Sequence, residues 1–329
     1  MLTKTLTTSI VAGSILAATA ATAEELSLAD FSPPTHFVVE QVYTPFADSI
    51  AAATGDEVTV RLYMGGELGP GPAEQYNRVV DGVADLAFSL PGYTASNFPT
   101  TLLAELPGVI TAETGTAAIQ ANLDMLAQEY RRVQLVGLWN NAPNLLLMAD
   151  TPVDSIDDLE GLNIRVPSRN AGLVVQAWGA NPVSMPAPGI YNAMQTGVID
   201  GAMIDATTLN AFRLAEVTNY ITHGMDTTIS LFYLIMNRDV FADLSEEHQA
   251  AILEAGHQAS LDGSAAWLAV AESALAQFAA TEGRQVIELS PEEADRFNAA
   301  SGPVVEQIIA DADAEGLQAS AYVAALQGY

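Results

Sequence analysis

Residues 157–205 read DDLEGLNIRVPSRNAGLVVQAWGANPVSMPAPGIYNAMQTGVIDGAMID, and this stretch decides the fold. Within it, residues 163–167 (NIRVP) predict a short strand, because β-branched neighbours flank position 165 and Pro167 ends the ladder. Position 165 should be apolar, yet it holds an arginine, and an arginine is almost never fully buried unless it is paired. The strand contains no acidic residue, so Arg165 needs a partner from another segment or from a ligand.

Two kinds of partner fit Arg165. One is a carboxylate elsewhere in the protein, which would make the arginine a structural bridge, and the local sequence alone favours this reading. The other is a carboxylate ligand, which the planar, five-donor guanidinium suits better than a lysine ammonium would. Arg165 and Arg169 flank a proline turn before a predicted helix over 171–178, and a helix N-terminus beside a guanidinium is an anion site.

Length and charge limit the classes of protein that this chain can belong to. Its 329 residues predict about two domains, and 11 basic against 40 acidic residues give a net charge of −29. Nucleic acid and anionic membrane surfaces are therefore excluded as partners, because both require a basic face. Such an acidic surface keeps a protein soluble, and we expect a monomer.

The N-terminus carries the features of a secretory signal peptide over residues 1–23. Lys4 lies near the start, an apolar run follows over 10–18, and Ala21-Thr22-Ala23 forms an A-x-A cleavage site before Glu24. Cysteine is absent from the chain, which excludes disulfides, cysteine–zinc sites and a thiol nucleophile. We therefore expect export to the periplasm, with cleavage after Ala23.

An internal similarity predicts two related lobes. Residues 76–87 (YNRVVDGVADLA) and 191–202 (YNAMQTGVIDGA) share Tyr-Asn, Gly-Val and a following Asp in the same register, and each copy reads as helix, glycine cap and buried strand. A nearly continuous helix is expected over 245–282, with Gly256 and Gly263 as candidate interruptions. At 1.5 Å per residue it approaches ~55 Å, long enough to cross both lobes. Further elements are strands at 27–32, 58–63, 85–90, 133–138 and 230–236, helices at 37–54, 73–82, 113–130 and 207–219, and short helices over 290–329.

No catalytic or metal-binding constellation stands out. The four histidines are scattered without an H-E-x-x-H pattern, and the glycines of 64–72 fit neither phosphate-loop motif. Residues 311–316 (DADAEG) resemble the start of a calcium loop, but Tyr322 occupies the twelfth position, where a bidentate glutamate is needed. We therefore expect no cofactor and no metal.

Several motifs together resemble the solute-binding subunits of TRAP (tripartite ATP-independent periplasmic) transporters. They cover nearly the whole mature chain: LEGLNIRVP at 159–167, GANPV at 179–183, YNAMQTGVIDGA at 191–202 and MNR at 236–238, with GVADL, GY, FP and ELP earlier. In that family the arginine of the I-R-V-P strand binds the ligand carboxylate, and here that position is Arg165. The polar contact that often follows Asp200-Gly201 does not transfer cleanly, because this chain has Met203-Ile204-Asp205 there.

The resemblance implies a two-lobe α/β periplasmic binding protein of the Venus-flytrap type with a long helix bridging both lobes. We expect lobe I to comprise 24–145 plus 230–270, and lobe II 146–229 plus 271–329, with crossings near 139–149 and 227–234. The expected function is capture of a small, partly apolar or aromatic organic acid by hinge closure and its delivery to membrane permease subunits. The alternative is an exported enzyme acting on a small carboxylate in the same kind of cleft. The candidate ligand-binding residues are Arg165, Arg169, His36, Tyr93, Trp139, Asn141, Met185, Asp205, Phe232 and Tyr233.

Overall fold

The computed structural model of the protein describes residues 23–329, and the predicted signal peptide up to residue 22 lies outside the described residues. The described chain forms two β-sheets with helices on their faces. The strands are β1 Glu24–Ala29, β2 Val58–Tyr63, β3 Leu86–Ser89, β4 Val133–Asn140, β5 Leu145–Met148, β6 Asn163–Val166, β7 Asn181–Ser184, β8 Gly201–Ile204, β9 Tyr220–His223, β10 Leu231–Asn237 and β11 Gln285–Glu288.

The first sheet has the order β2-β1-β3-β10-β4. β1 pairs in parallel with β2 and β3, whereas β10 runs antiparallel to β3 and β4. Every residue of β10 is buried, which is typical of a strand with both of its faces covered. We call this sheet and the helices packed on it lobe I.

The second sheet has the order β11-β9-β5-β8-β6-β7. β6, which carries Arg165, lies between β8 and β7 and is parallel to both. β5 runs antiparallel to β8 and β9. We call this sheet and its helices lobe II. The two sheets confirm the predicted two-lobe α/β fold.

The chain crosses between the lobes more than once. Residues 141–144 lead from β4 to β5, and residues 224–230 return from β9 to β10, close to the predicted crossings. The helices are α1 Thr44–Thr54, α2 Gln75–Val80, α3 Gly115–Gln120, α4 Arg169–Ala177, α5 Ile190–Gln195, α6 Thr208–Ala211, α7 Arg238–Asp243, α8 Glu246–Ala279, α9 Pro291–Ala314 and α10 Ala319–Gln327.

The long helix α8 bridges the lobes as predicted. Its first part packs in the lobe I core through Ile252, Ala255, Ala259 and Trp267, and its last part in the lobe II core through Ala271, Ala274 and Phe278. Gly256 does not interrupt the helix, because β4 approaches it so closely that an added Cβ would lie 2.1 Å from the Val136 carbonyl oxygen. The glycine is therefore required by packing rather than by a break in the helix.

The C-terminal region differs from the prediction in two ways. Instead of short helices, α9 is a single 24-residue helix that begins at the Ser290 cap, with Phe297 in the lobe II core and Ile308 against the lobe I core. α10, which the sequence division assigned to lobe II, packs on the lobe I core through Tyr322. There α10 packs against α3, so the end of the chain belongs to lobe I.

Two predicted helices are wrong in extent. The one expected over 113–130 stops at Gln120, because the Asn122 amide donates to the Ala118 carbonyl and competes with the helical bond. The one expected over 207–219 is reduced to α6 and a short turn, since Arg213 adopts a left-handed φ of 59°.

Candidate functional site

A cleft of about 450 Å³ lies between the lobes, where β1, β3 and β4 of lobe I and β6 and β8 of lobe II end. Ligands of open α/β sheets bind at such strand ends. Both lobes line it, which is typical of small-molecule sites at domain interfaces. The lining residues are Phe31, Ser32, His36, Phe88, Leu90, Tyr93, Asn141, Arg165, Ala187, Ile204, Asp205, Thr207, Thr208, Phe212, Ser230, Phe232 and Trp267.

Arg165 lies at the polar side of this cleft and is 1% exposed. Its Nε donates to the Met185 carbonyl at 2.8 Å, Nη1 to the Met203 carbonyl at 3.4 Å, and Nη2 to the Tyr93 hydroxyl at 3.4 Å. A guanidinium has five N–H donors. Three have protein acceptors within residues 23–329, so one further donor on each terminal nitrogen remains for a ligand, the pair that a carboxylate binds side by side.

Within residues 23–329, no carboxylate lies within 4.0 Å of the Arg165 guanidinium. The structural alternative from the sequence, a direct bridge to a carboxylate elsewhere in the protein, is therefore wrong for the described chain. Burial lowers the pKa of Arg165, while Tyr93 and the more distant Asp205 raise it, and a guanidinium remains charged in proteins. The cleft thus holds a buried cation with neutral acceptors around it.

Asp205 follows β8 and faces the same cleft. Its Oδ1 accepts from the Thr207 amide at 2.9 Å and from the Thr207 hydroxyl at 2.5 Å, and its Oδ2 accepts from the Asn141 amide at 2.9 Å. Burial raises the pKa of Asp205, and these hydrogen bonds oppose the rise. Asn141 also accepts from the Ser230 amide, so one polar network ties both crossing segments to lobe II.

The remaining walls of the cleft are mainly aromatic. Phe88 and Phe232 stack with their ring centroids 5.2 Å apart, and Trp267 of α8 lies 4.6 Å from Phe232. Phe31 packs on Phe88 at 5.9 Å, and Phe212 closes the lobe II side. A ring or an alkyl group bound here would be covered by aromatic faces, while its charged end meets Arg165.

The structure brings together six of the ten predicted ligand residues: His36, Tyr93, Asn141, Arg165, Asp205 and Phe232 all line the cleft. Trp139 does not line it, because it lies in a second layer behind Phe88. Tyr233 points to the opposite face of β10, where it packs on Phe98, as strand alternation requires.

Two further predictions need correction. Met185 contributes its backbone carbonyl to Arg165 and is not part of the lining. Arg169 lines a separate, open groove between the lobes, formed with Pro303 and neighbouring residues of α9. Arg169 is the first residue of α4, is exposed, and does not line the cleft that holds Arg165.

Sequence reasoning missed the other cleft residues, which are Phe31, Ser32, Phe88, Leu90, Ala187, Ile204, Thr207, Thr208, Phe212, Ser230 and Trp267. Some of these residues could have been identified from the sequence, because Phe31-Ser32 follows β1 and Thr207-Thr208 follows β8, and strand ends form the site. Trp267 could not, since its position on a 34-residue helix does not indicate which part of the helix reaches the cleft.

Direct contacts between the lobes surround the cleft. The Tyr93 hydroxyl of lobe I accepts from the Ala187 amide of lobe II at 3.0 Å as well as from Arg165. On the neighbouring side, the Ser168 hydroxyl donates to Glu105 Oε1 at 2.6 Å and caps α4 by accepting from the Ala171 amide. The lobes are therefore closed on each other in this structure.

Glu105 is 2% exposed at this contact between the lobes. Burial raises its pKa to about 8, and the hydrogen bond from Ser168 opposes the rise. Among residues 23–329, no cation forms an ion pair with it. The closed form therefore favours a protonated carboxyl at position 105 near neutral pH.

Two further observations concern metal binding and membrane-spanning helices. Within residues 23–329, no group of three or more His, Asp or Glu side chains is arranged to hold a metal ion. In the same part of the chain, no helix has the length and apolar character that a membrane crossing needs.

Residues 28–312 match the bacterial extracellular solute-binding protein family 7. A marine metagenome TRAP solute-binding protein specific for aromatic acid ligands, solved with metahydroxyphenylacetate, is 25% identical, with 93% of this chain and 98% of that chain covered and a TM-score of 0.87. A TRAP periplasmic solute-binding protein from Bordetella bronchiseptica, solved with (R)- and (S)-mandelate, is 27% identical, with 92% and 98% covered and a TM-score of 0.85.

The ectoine-binding periplasmic protein TeaA of Halomonas elongata is 26% identical over 213 residues, which are 61% of this chain and 60% of that protein. The match thus spans less than two thirds of this curated relative. The two solved structures, by contrast, are covered almost completely. The family match extends through both lobes and includes the Arg165 strand, and the chain therefore belongs to bacterial extracellular solute-binding protein family 7 as a TRAP-type solute-binding subunit.

Proposed function

We propose that this protein captures a small monocarboxylic acid with an aromatic or otherwise apolar body in the periplasm and delivers it to the permease subunits of a TRAP transporter. The observation that carries the proposal is Arg165, a buried guanidinium with two donors left for a ligand, in a cleft walled by aromatic rings. We further propose that the protein acts as a monomer after cleavage at Ala23.

We propose that the lobes open and close as units about the crossing segments 141–144 and 224–230 and about α8. Tyr93 supports this motion, because its hydroxyl links lobe I to Arg165 and to Ala187 of lobe II. A ligand contacts both lobes only when the lobes are closed. It therefore binds the closed form more tightly than the open form, and this difference in affinity shifts the equilibrium toward closure. Closure also removes the Arg165–carboxylate pair from water, which strengthens it.

The preference for an aromatic or apolar acid rests on the walls of the cleft. Phe31, Phe88, Phe212, Phe232 and Trp267 offer rings to the ligand body, and burying unpaired hydroxyls against them is unfavourable. The relatives solved with metahydroxyphenylacetate and mandelate, which have the same fold, add support from their own ligands. Asp205, a buried carboxyl that lines the same cleft, makes a second ligand carboxylate unfavourable beside it.

An exported enzyme remains the rival reading, and the cleft geometry favours binding. His36 is the cleft histidine, but its Nδ1 accepts from the Val38 amide and burial lowers its pKa to about 4, which makes it a weak base. Both carboxylate oxygens of Asp205 already accept hydrogen bonds, Oδ1 from Thr207 and Oδ2 from Asn141. Within residues 23–329, no hydroxyl is hydrogen-bonded to a cleft histidine, the arrangement that an activated nucleophile needs.

A calorimetric screen tests this function. The probes are benzoate, 3-hydroxybenzoate, mandelate, glucuronate and ectoine, added to protein that has been unfolded and refolded to release copurified ligand. We expect the aromatic monocarboxylates to bind at least about tenfold more tightly than glucuronate, because the aromatic walls penalise unpaired hydroxyls. Chromatography of the mixtures should recover each acid unchanged. Tight binding of glucuronate alone, or conversion of any acid, would contradict the proposal.

A further inference from the structure

His36 is a cleft residue whose tautomer is fixed by the backbone. It lies just before the helical segment that leads into α1, and it is 6% exposed. The Val38 amide donates to its Nδ1 at 3.2 Å. Since Nδ1 is an acceptor in this contact, the ring proton of the neutral imidazole must be on Nε2.

The imidazole also stays uncharged at physiological pH. Burial lowers the pKa of His36 to about 4, so the neutral form persists above about pH 5. Its ring stacks on Phe37 with centroids 4.5 Å apart and lies 6.0 Å from Phe212 and 5.8 Å from Trp267. Around this ring the cleft is therefore apolar, and the Nε2–H group is its polar feature.

His36 lines the cleft, and because its Nδ1 side is turned to the Val38 amide, the Nε2 side of the ring is left for the cleft. Within residues 23–329, no acceptor is hydrogen-bonded to Nε2, and the atom is not sealed off by surrounding protein atoms, as the Trp139 indole nitrogen is. A buried donor without an acceptor is unfavourable, whereas one that opens to a binding cleft is satisfied by whatever binds there. The acceptor is then supplied by the ligand.

His36 and Arg165 contact different sets of protein groups. Arg165 is held by Met185, Met203 and Tyr93, and His36 by Val38 and the surrounding rings. A single ligand in this cleft therefore meets these two polar groups independently, one charged and one neutral. A carboxylate suits the first, and an uncharged oxygen suits the second.

We infer that His36 is a specificity-determining residue whose Nε2–H donates to an uncharged oxygen on the body of the ligand, so that the preferred ligands are aromatic monocarboxylates bearing a hydroxyl, ether or carbonyl oxygen. The inference rests on the proposed function and refines its substrate class. A second carboxylate at that position would meet a neutral imidazole among aromatic rings rather than a cation. Dicarboxylates are therefore rejected.

The test compares benzoate with its 2-, 3- and 4-hydroxy and methoxy derivatives by calorimetry on three proteins: the natural chain, His36→Asn and His36→Gln. Asparagine keeps an acceptor for the Val38 amide but does not reach the cleft, whereas the glutamine amide nitrogen takes the place of Nε2. The natural chain should prefer at least one oxygen-bearing isomer over benzoate by about 5- to 100-fold, the range expected for satisfying a buried donor. The methoxy acid of that isomer should keep part of the preference, because its oxygen accepts but does not donate.

His36→Asn should abolish this preference by weakening the binding of the oxygen-bearing acid much more than that of benzoate, and His36→Gln should restore part of it. Equal loss of affinity for both acids in His36→Asn would overturn the inference, as would tightest binding of benzoate by the natural chain. In either case the acids still bind, and the carboxylate-binding function stands. If none of these acids binds, both the proposed function and the inference are wrong.

Discussion

Replacing Arg165 with alanine should weaken the binding of aromatic monocarboxylates by about 30-fold to several thousand-fold, which corresponds to about 2–5 kcal/mol. The loss is large because the ligand carboxylate would remain buried in the closed cleft without its counter-charge. The fold should survive, since Arg165 forms no ion pair within the described chain and its hydrogen bonds go to carbonyls and to Tyr93. Titration calorimetry measures the affinity, and circular dichroism the fold.

Two further variants make this experiment specific. Arg61→Ala removes the same charge from the exposed edge of lobe I, where Arg61 pairs with Glu25, and it should bind ligand normally. Arg165→Lys keeps the charge but lacks the planar fork and should recover only part of the affinity. An Arg165→Ala protein that is folded and binds with near-normal affinity would remove Arg165 from the site.

Ligand affinity should also depend strongly on pH through Glu105. In the closed form burial raises the pKa of this carboxyl to about 8, and when the lobes separate it should return toward its ordinary value of 4.5. Closure then takes up a proton, so this contribution to affinity is fully present below the ordinary pKa and is lost as the pH rises through about 8. Between these limits the affinity should fall by up to about tenfold per pH unit.

The matched variant is Glu105→Gln, whose side-chain carbonyl still accepts from the Ser168 hydroxyl but does not titrate. It should bind with an affinity that is nearly independent of pH between 6 and 8. Calorimetry in buffers of different ionisation enthalpy should detect uptake of about one proton by the natural chain and less by the variant. The same pH profile in both proteins would assign the dependence to another group and remove Glu105 from the linkage.

Other groups around Glu105 have to be considered in that experiment. Tyr93 and Arg165 face the cleft, while Arg169 on α4 and Asp226 on the crossing segment lie on elements that pack nearby. None of them contributes to the raised pKa of Glu105, which is caused by burial and opposed by Ser168. Asp205, whose pKa burial also raises, is the remaining cleft carboxyl, and Asp205→Asn separates its effect.

The strand of Arg165 and the bridging helix were predictable because each depends on local pattern. An arginine between β-branched residues, followed by a proline, predicts a buried strand whose arginine needs a partner. The structure confirms the strand and the burial of Arg165. The unbroken course of α8 through Gly256 was not predictable, because it depends on how closely β4 approaches. Propensity describes the chain alone, whereas packing decides whether a glycine is a break or a contact.

The cleft was only partly predictable for a similar reason. Strand ends identify residues such as Asn141 and Asp205, but alternation alone does not say which face of a strand reaches the cleft. Phe232 faces it and Tyr233 does not, and Trp139 lies one layer behind the lining. Lining residues from helices, such as Trp267, come from distant segments whose meeting point only the tertiary structure defines.

The most direct test of carboxylate capture between the lobes is a crystal structure of the protein with the aromatic acid that binds most tightly. We expect closed lobes, the acid in the cleft, and its carboxylate oxygens about 2.7–2.9 Å from Nη1 and Nη2 of Arg165, as in charge-assisted pairs. The ring should lie against Phe232 and Trp267. An acid bound elsewhere, or one in the cleft with its carboxylate turned away from Arg165, would contradict the account.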